Sequence, residues 1–189
     1  GRGGSLREAA GRGGDVRVVM SAMDVIPLAL NEPRREFVFF AIGFETTTPQ
    51  TALLLQEAKR LGVGNVSVLA EHKRVLPALE LLAQDPQIGV KGFLLPGHVS
   101  SIIGLEPYGI LAEKYRLACA VGGFEGEQIL LALCALLSQI VGGEPRIVNA
   151  YPSGVRDRGN PRARALIDEC FTPCDSVWRG LGTIPQSRL

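Results

Sequence analysis

Cysteine is scarce in this chain, four in 189 residues, too few for a fold held together by disulfides. Cys119 lies in the apolar run Leu117–Val121 and Cys134 in Leu130–Leu137, and each reads as a small buried hydrophobe. Cys170 and Cys174 stand close together, in Cys-Phe-Thr-Pro-Cys. A lone C-x3-C falls short of the four ligands a structural zinc site takes, so ordinary thiols in a reducing cytoplasm are expected. Net charge is also lacking: 20 Lys+Arg against 19 Asp+Glu leave +1. That balance argues against a general nucleic-acid binder, which needs a concentrated basic surface. The longest apolar stretches, such as Ile129–Leu137, are too short to span a bilayer, and no signal-peptide pattern opens the chain. G-x-G-x-x-G, the P-loop, H-x-His and H-E-x-x-H motifs are absent, as is the G-x-S-x-G nucleophile elbow.

What is present describes a folding unit. Hydrophobic residues make up 46% and charged residues 21% of a chain that is one ordinary domain or two small ones in length. The first residue is Gly1, and Gly1–Gly4 reads as a remnant or a cut point, the chain as a piece of something longer. The dominant pattern is a short apolar run, a polar Gly-containing turn and an amphipathic helix. Val16–Met20 is a strand candidate, followed by a capping box at Ser21–Asp24. Phe37–Ile42 is an unbroken apolar run of strand length, expected to be buried on both faces. It leads into Gly43-Phe44-Glu45-Thr46-Thr47-Thr48-Pro49, with Thr48 as N-cap and Pro49 at the first helical position, and Gly62 stops that helix.

Further strands are expected at Asn65–Ala70, Gly92–Leu95, Ala118–Val121 and Arg146–Asn149, the last as a core strand. Helices are expected after Lys73, around Pro107–Tyr115, over Glu127–Val141 and over Pro161–Cys170 with Asn160 as cap. Val177–Pro185 reads as irregular or as an edge strand. Strands alternating with helices predict an α/β architecture with a mostly parallel sheet. An internal echo refines this. Phe37–Leu55 and Ala118–Leu136 both read apolar strand, Gly-Phe-Glu, polar turn, apolar helix, 80 residues apart. The repetition predicts two similar α/β lobes divided near Val63–Lys73.

In parallel α/β sheets, ligands bind beyond the carboxyl ends of the strands. Four such turns carry reactive side chains: Gly43–Thr48, Glu71–Lys73, Pro96–Ser101 and Gly123–Glu127. Both histidines of the chain, His72 and His98, lie in them. An imidazole after Pro96-Gly97 is not core filling and is suited to carry protons near neutral pH, whereas His72 beside Lys73 reads equally as a solvated turn. Glu45 and Glu125 each follow Gly-Phe, where helix-dipole stabilisation and chemistry are alternative reasons for a carboxylate. Two His and two Glu permit a mononuclear metal, but their spacing does not require one.

Gly43-Phe44-Glu45-Thr46-Thr47-Thr48-Pro49, followed by Pro96-Gly97-His98-Val99-Ser100-Ser101-Ile102-Ile103-Gly104, resembles the hydrogenase formation protein family HypD. Pro107-Tyr108, Gly123-Phe124-Glu125 and Trp178-Arg179-Gly180-Leu181-Gly182 follow in the family's order, so the resemblance runs from about Asp15 to Leu189. It implies two Rossmann-like α/β lobes with mostly parallel sheets, the first incomplete. Residues 1–66 would be the C-terminal part of the first lobe. Residues 67–189 would form the second lobe and the start of the connection to an iron–sulfur module.

The implied function is an assembly scaffold, rather than a stand-alone enzyme, for the Fe(CN)2CO group of [NiFe] hydrogenases. It would work in the cytoplasm with HypC-type and HypE-type partners, with no nucleic acid and no membrane. Iron and a [4Fe-4S] cluster are implied for the full-length family, and none is expected on this chain alone. The family's Cys-Gly-Gly-His and Gly-Pro-Gly-Cys-Pro-Val-Cys motifs are absent here, and Gly126-Glu127-Gln128 stands where the family has Pro and then Asp. Carried over by motif are Glu45 and His98 as catalytic groups, with Thr46, Thr47, Gly97, Ser100 and Glu125 lining a cleft. The alternative is a Rossmann-like enzyme binding a nucleotide or phosphorylated substrate with His98 as acid/base, and a third reading is a pure interaction module.

Overall fold

The computed structural model describes residues 4–189; residues 1–3, which carry most of the cut-point reading, lie outside them. The chain is α/β, with parallel strands followed by helices in two Rossmann-like units. In the first, β1 (Phe37–Gly43) runs parallel to β2 (Val66–His72) in continuous register from Phe37↔Val66 to Gly43↔His72. After a short α1 (Leu6–Gly11) comes α2 (Val25–Asn31); α3 (Thr48–Leu61) joins the two strands and packs with α2 on one face. Leu54 and Ala58 of α3 and Val25 and Ile26 of α2 meet Phe37, Phe39, Val66 and Val68 in one apolar cluster.

The unbroken apolar run of β1 is not buried on both faces. Val38 and Ile42 are about two-thirds exposed, because α2 and α3 cover only the face formed by alternate residues. Val16–Met20, expected as a strand, has no ladder partner; Val18 and Met20 are more than nine-tenths exposed. An apolar run becomes a strand only where a neighbouring edge takes up its N–H and C=O groups.

The second unit is a three-stranded parallel sheet in the order β3-β4-β5, with β3 at Gly92–Pro96, β4 at Ala118–Gly122 and β5 at Ile147–Asn149. β4 is central and buried at every residue, while β5, expected in the core, is an edge. α5 (Gly97–Ile103) and α6 (Gly109–Glu113) pack on the sheet, as does the long α7 (Gly126–Gly142). Leu95, Tyr108, Leu111, Cys119, Val121 and Val155 make the core, and each fully buried side chain of this size contributes roughly 1.5–3 kcal/mol. Gln139 of α7 is buried but satisfied: its amide donates to Cys119 O at 3.1 Å and accepts from Arg146 N at 2.8 Å. The helix expected around Pro107–Tyr115 is a 3-10 turn at Glu106–Tyr108 running into α6.

The division expected after residue 66 falls at the first residue of β2, which is bonded along its length to β1. The first unit thus extends through His72, and the chain returns to it at the end. α8 (Pro161–Cys170), capped by Asn160 as expected, packs on α3. The region read as irregular or as an edge strand is part of an antiparallel hairpin that closes the chain, β6 (Cys174–Trp178) with β7 (Gly182–Arg188). Its end is tied to β2: Arg74 N donates to Ser187 O and Leu189 N to His72 O, both at 2.9 Å.

Candidate functional site

The four segments singled out above lie at strand C-termini, with Glu71 and His72 still inside β2 itself, but they belong to two different sheets, and the structure joins them in pairs. The first pair is the β1–α3 turn with the β2–α4 turn, where α4 is Val75–Gln84. Gly43 ends β1 at φ +144°, and a Cβ there would lie 2.2 Å from Thr47 Oγ1; only glycine lets the turn close this tightly. Gly43 O accepts from Lys73 N at 2.8 Å, and Glu45 Oε1 accepts from Val75 N at 2.9 Å, at the start of α4. Helix N-termini favour such a carboxylate.

Glu45, expected as a catalytic group, is 5% exposed and enclosed, and its Oε2 is buried without a partner. Burial pushes the Glu45 carboxyl above the usual range, opposed by the backbone N–H of Val75 and by Arg74. Thr48 is not a side-chain N-cap. Thr47 occupies that position, and both hydroxyls turn back to donate to Phe44 O, at 3.1 Å from Thr47 and 3.0 Å from Thr48. Thr46 is half-buried and Thr47 exposed.

His72 is not a solvated turn residue. It is 1% exposed, with Nδ1 3.3 Å from Thr47 Oγ1 and Nε2 3.0 Å from Thr51 Oγ1, and Phe171 meets the ring edge-on. Burial lowers its pKa. The missed signal was alternation: Val66, Val68, Ala70 and His72 share the inward face of β2. A cavity of about 160 Å³ beside this network is lined by Ser21, Thr47, Gln50, Thr51 and His72 with apolar residues of β1.

The second pair is the β3–α5 turn with the β4–α7 turn. Pro96 is opposite Gly122, and a Cβ on Gly97 would lie 2.4 Å from Gly122 O, so Gly97 is required by backbone approach. That approach brings exposed His98 onto Phe124, with ring centroids 3.9 Å apart at 31°. Ser100 does not line the cleft. It is fully buried, donates to Pro96 O at 2.8 Å and lies 3.4 Å from the Tyr108 hydroxyl. Glu125 is exposed as the N-cap of α7, where Gln128 accepts from Phe124 N and Glu125 N. Burial pushes the Tyr108 phenol up to about 12, with the Glu45 charge adding to the rise.

The cysteines do not fit an iron–sulfur cluster. They sit on β4, α7, the end of α8 and β6, and among the described residues no group of three or more His, Cys, Asp or Glu is placed to hold a metal ion. Burial pushes the Cys119 thiol up to about 11, and Cys134, read as buried, is exposed on α7. No helix among the described residues is long and apolar enough to cross a membrane.

An α/β chain with polar, partly buried turns at parallel strand ends belongs to the Rossmann-like fold class. Its family is defined by comparison: the HypD model, described as the hydrogenase formation hypA family, matches residues 1–189, and the chain belongs to that family. It is 42% identical over 186 residues to the hydrogenase maturation factor HypD of Rhodobacter capsulatus, covering 98% of this chain and 49% of that protein. It is 41% identical over 188 residues to HypD of Escherichia coli K12, covering 99% and 50%. A putative hydrogenase expression/formation protein of Methanocaldococcus jannaschii is 39% identical over 180 residues, covering 95% and 50%. The chain spans about half the length of the curated relatives it matches.

Proposed function

We propose that this chain is the part of a hydrogenase-maturation scaffold that presents two pairs of polar turns during assembly of the Fe(CN)2CO group. The iron group is cargo in this reading. The thiolates that hold it, and any [4Fe-4S] cluster, belong to the half of the protein present in the relatives and not in this chain. HypC-type and HypE-type proteins are the partners, and the cytoplasm is the compartment.

The observation that carries the reading is the placement of the two family motifs: Gly43–Pro49 and Pro96–Gly104 both open at the carboxyl end of a parallel strand. The roles divide by exposure. His98, held over Phe124 at the surface, is the group free to exchange a proton or a hydrogen bond with a docked partner or ligand. Glu45 is enclosed; it ties the first turn to α4 and sets the charge beneath it. Thr46 and Thr47 are the accessible groups of that turn. Gly97 and Ser100 shape the second turn, and Glu125 fixes the start of α7 beside His98.

The test is His98→Ala in the full-length parent protein. Hydrogenase activity in a complemented strain should be lost while the melting temperature stays within about 2 °C, since truncation of an exposed side chain outside the core falls within about 0.5 kcal/mol. Normal activity at unchanged stability removes His98 from the function.

A further inference from the structure

His72 is a buried titratable side chain for which the proposed function has no use, yet both of its ring nitrogens are engaged. Two distributions of protons fit these distances, and the shorter Thr47 contact favours one of them. Thr47 Oγ1 has a single proton, and its nearer acceptor is Phe44 O at 3.1 Å. Towards His72 Nδ1, at 3.3 Å, Thr47 then accepts. In that arrangement Nδ1 carries hydrogen, and in a neutral imidazole Nε2 is bare. Nε2 in turn accepts the Thr51 hydroxyl proton at 3.0 Å. The lowered pKa of the enclosed ring agrees with the neutral form.

We propose that His72 is a positioning residue: as the Nδ1–H tautomer it holds the Thr47 hydroxyl with its proton turned inward, so that the β1–α3 turn offers an acceptor lone pair to a ligand. The inference rests on the maturation reading of that turn and deepens it. The group that docks against Thr47 is an N–H or O–H donor, and an oxyanion is disfavoured there because the hydroxyl has no proton to give it. The small adjoining cavity, lined by Thr47, Gln50 and His72, limits that group to one of small size. His72 does not touch the ligand. It acts through Thr47, and Gly43 makes this possible because any side chain at that position would displace the hydroxyl.

The tautomer can be read directly. The chain has two histidines, so 15N-histidine labelling gives two sets of two-bond 1H–15N correlations, and the set lost in His72→Asn belongs to His72. The expected pattern is a protonated Nδ1 and a bare Nε2; a protonated Nε2 overturns the proposal. In the full-length parent, His72→Asn places an amide donor where Nδ1 stood and should keep hydrogenase maturation within threefold of normal. His72→Leu should lower it at least tenfold, as should Thr47→Val, while Thr47→Ser retains it. Should His72→Leu fail to fold, the tautomer and the Asn and Thr47 variants still decide the matter. Loss of maturation in a well-folded His72→Asn variant counts against positioning through Nδ1. Normal maturation by Thr47→Val, with the tautomer as expected, overturns the maturation reading of this turn and leaves the placement of the Thr47 proton by His72 standing.

Discussion

Replacing Glu45 by glutamine should make the protein more stable at neutral pH and at the same time less able to mature hydrogenase. The carboxylate makes one bond, from Val75 N at 2.9 Å, and its second oxygen is buried with no partner. A buried polar atom without a partner costs about 1–3 kcal/mol, more when charged. Glutamine keeps an oxygen for Val75 N and leaves its amide nitrogen as unpartnered as Oε2 was, but it removes the buried charge, so a gain of about 1 kcal/mol is expected at pH 7, or roughly 2–4 °C for a chain of this length.

The pH dependence gives the sign. Burial raises the folded-state pKa of Glu45 above its unfolded value of 4.5. The wild-type protein is therefore favoured by protonation at low pH, and that advantage disappears as the pH rises through the folded value. The gap between Glu45→Gln and wild type should be widest at pH 7–8 and close as the pH falls below about 4.5. Glu45→Ala, which loses the bond to α4 and leaves a void, should instead destabilise by about 2–4 kcal/mol. Thermal melts of the three proteins across pH decide the point. A Glu45→Gln variant less stable than wild type at pH 7, or offset by the same amount at every pH, would refute the account of a strained, enclosed carboxyl.

Other consequences follow from the same geometry. Gly97→Ala puts a methyl 2.4 Å from Gly122 O, against backbone that cannot move freely, and should cost about 1–3 kcal/mol in denaturant melts; an unchanged midpoint would mean that the strands part readily. Phe124→Ala removes the ring under His98 and should leave stability within about 1.5 kcal/mol while broadening the His98 ring resonances in NMR spectra. Alkylation of the native protein at pH 8 should label exposed Cys134 quickly and spare Cys119, whose thiol is buried and raised to about 11; mass mapping that finds Cys119 modified before unfolding would contradict the packing of β4.

Local order was largely legible in the sequence, and tertiary arrangement much less so. The strand-turn-helix units at Phe37–Leu61 and Ala118–Gly142, the capping box at Ser21–Asp24 and the stop at Gly62 follow from residue chemistry within a few positions of each other. Both Gly-Phe-Glu segments link a strand to a helix, but the turns differ, Thr47 being the N-cap of α3 and Glu125 itself that of α7, and the two carboxylates diverge: Glu45 is drawn inward by Val75 N, while Glu125 stays in solvent. That difference depends on a helix 30 residues away, which no local pattern encodes. The same holds for Val16–Met20, apolar enough for a strand but without an edge to pair with, and for the C-terminal hairpin that returns to β2 across about a hundred residues. Ser100 looked like an accessible hydroxyl because the turn is polar, but its place on the inner side of α5 sends it to Pro96 O and Tyr108.

The central claim is that the exposed turn carrying His98 serves assembly of the Fe(CN)2CO group. The most direct measurement is infrared spectroscopy of the full-length protein purified with the HypC-type protein proposed as its partner. Cyanide and carbon monoxide stretching bands should be present in the wild-type complex and lost in His98→Ala, with the melting temperature and the amount of bound partner unchanged. Bands of equal intensity in the variant would contradict the account.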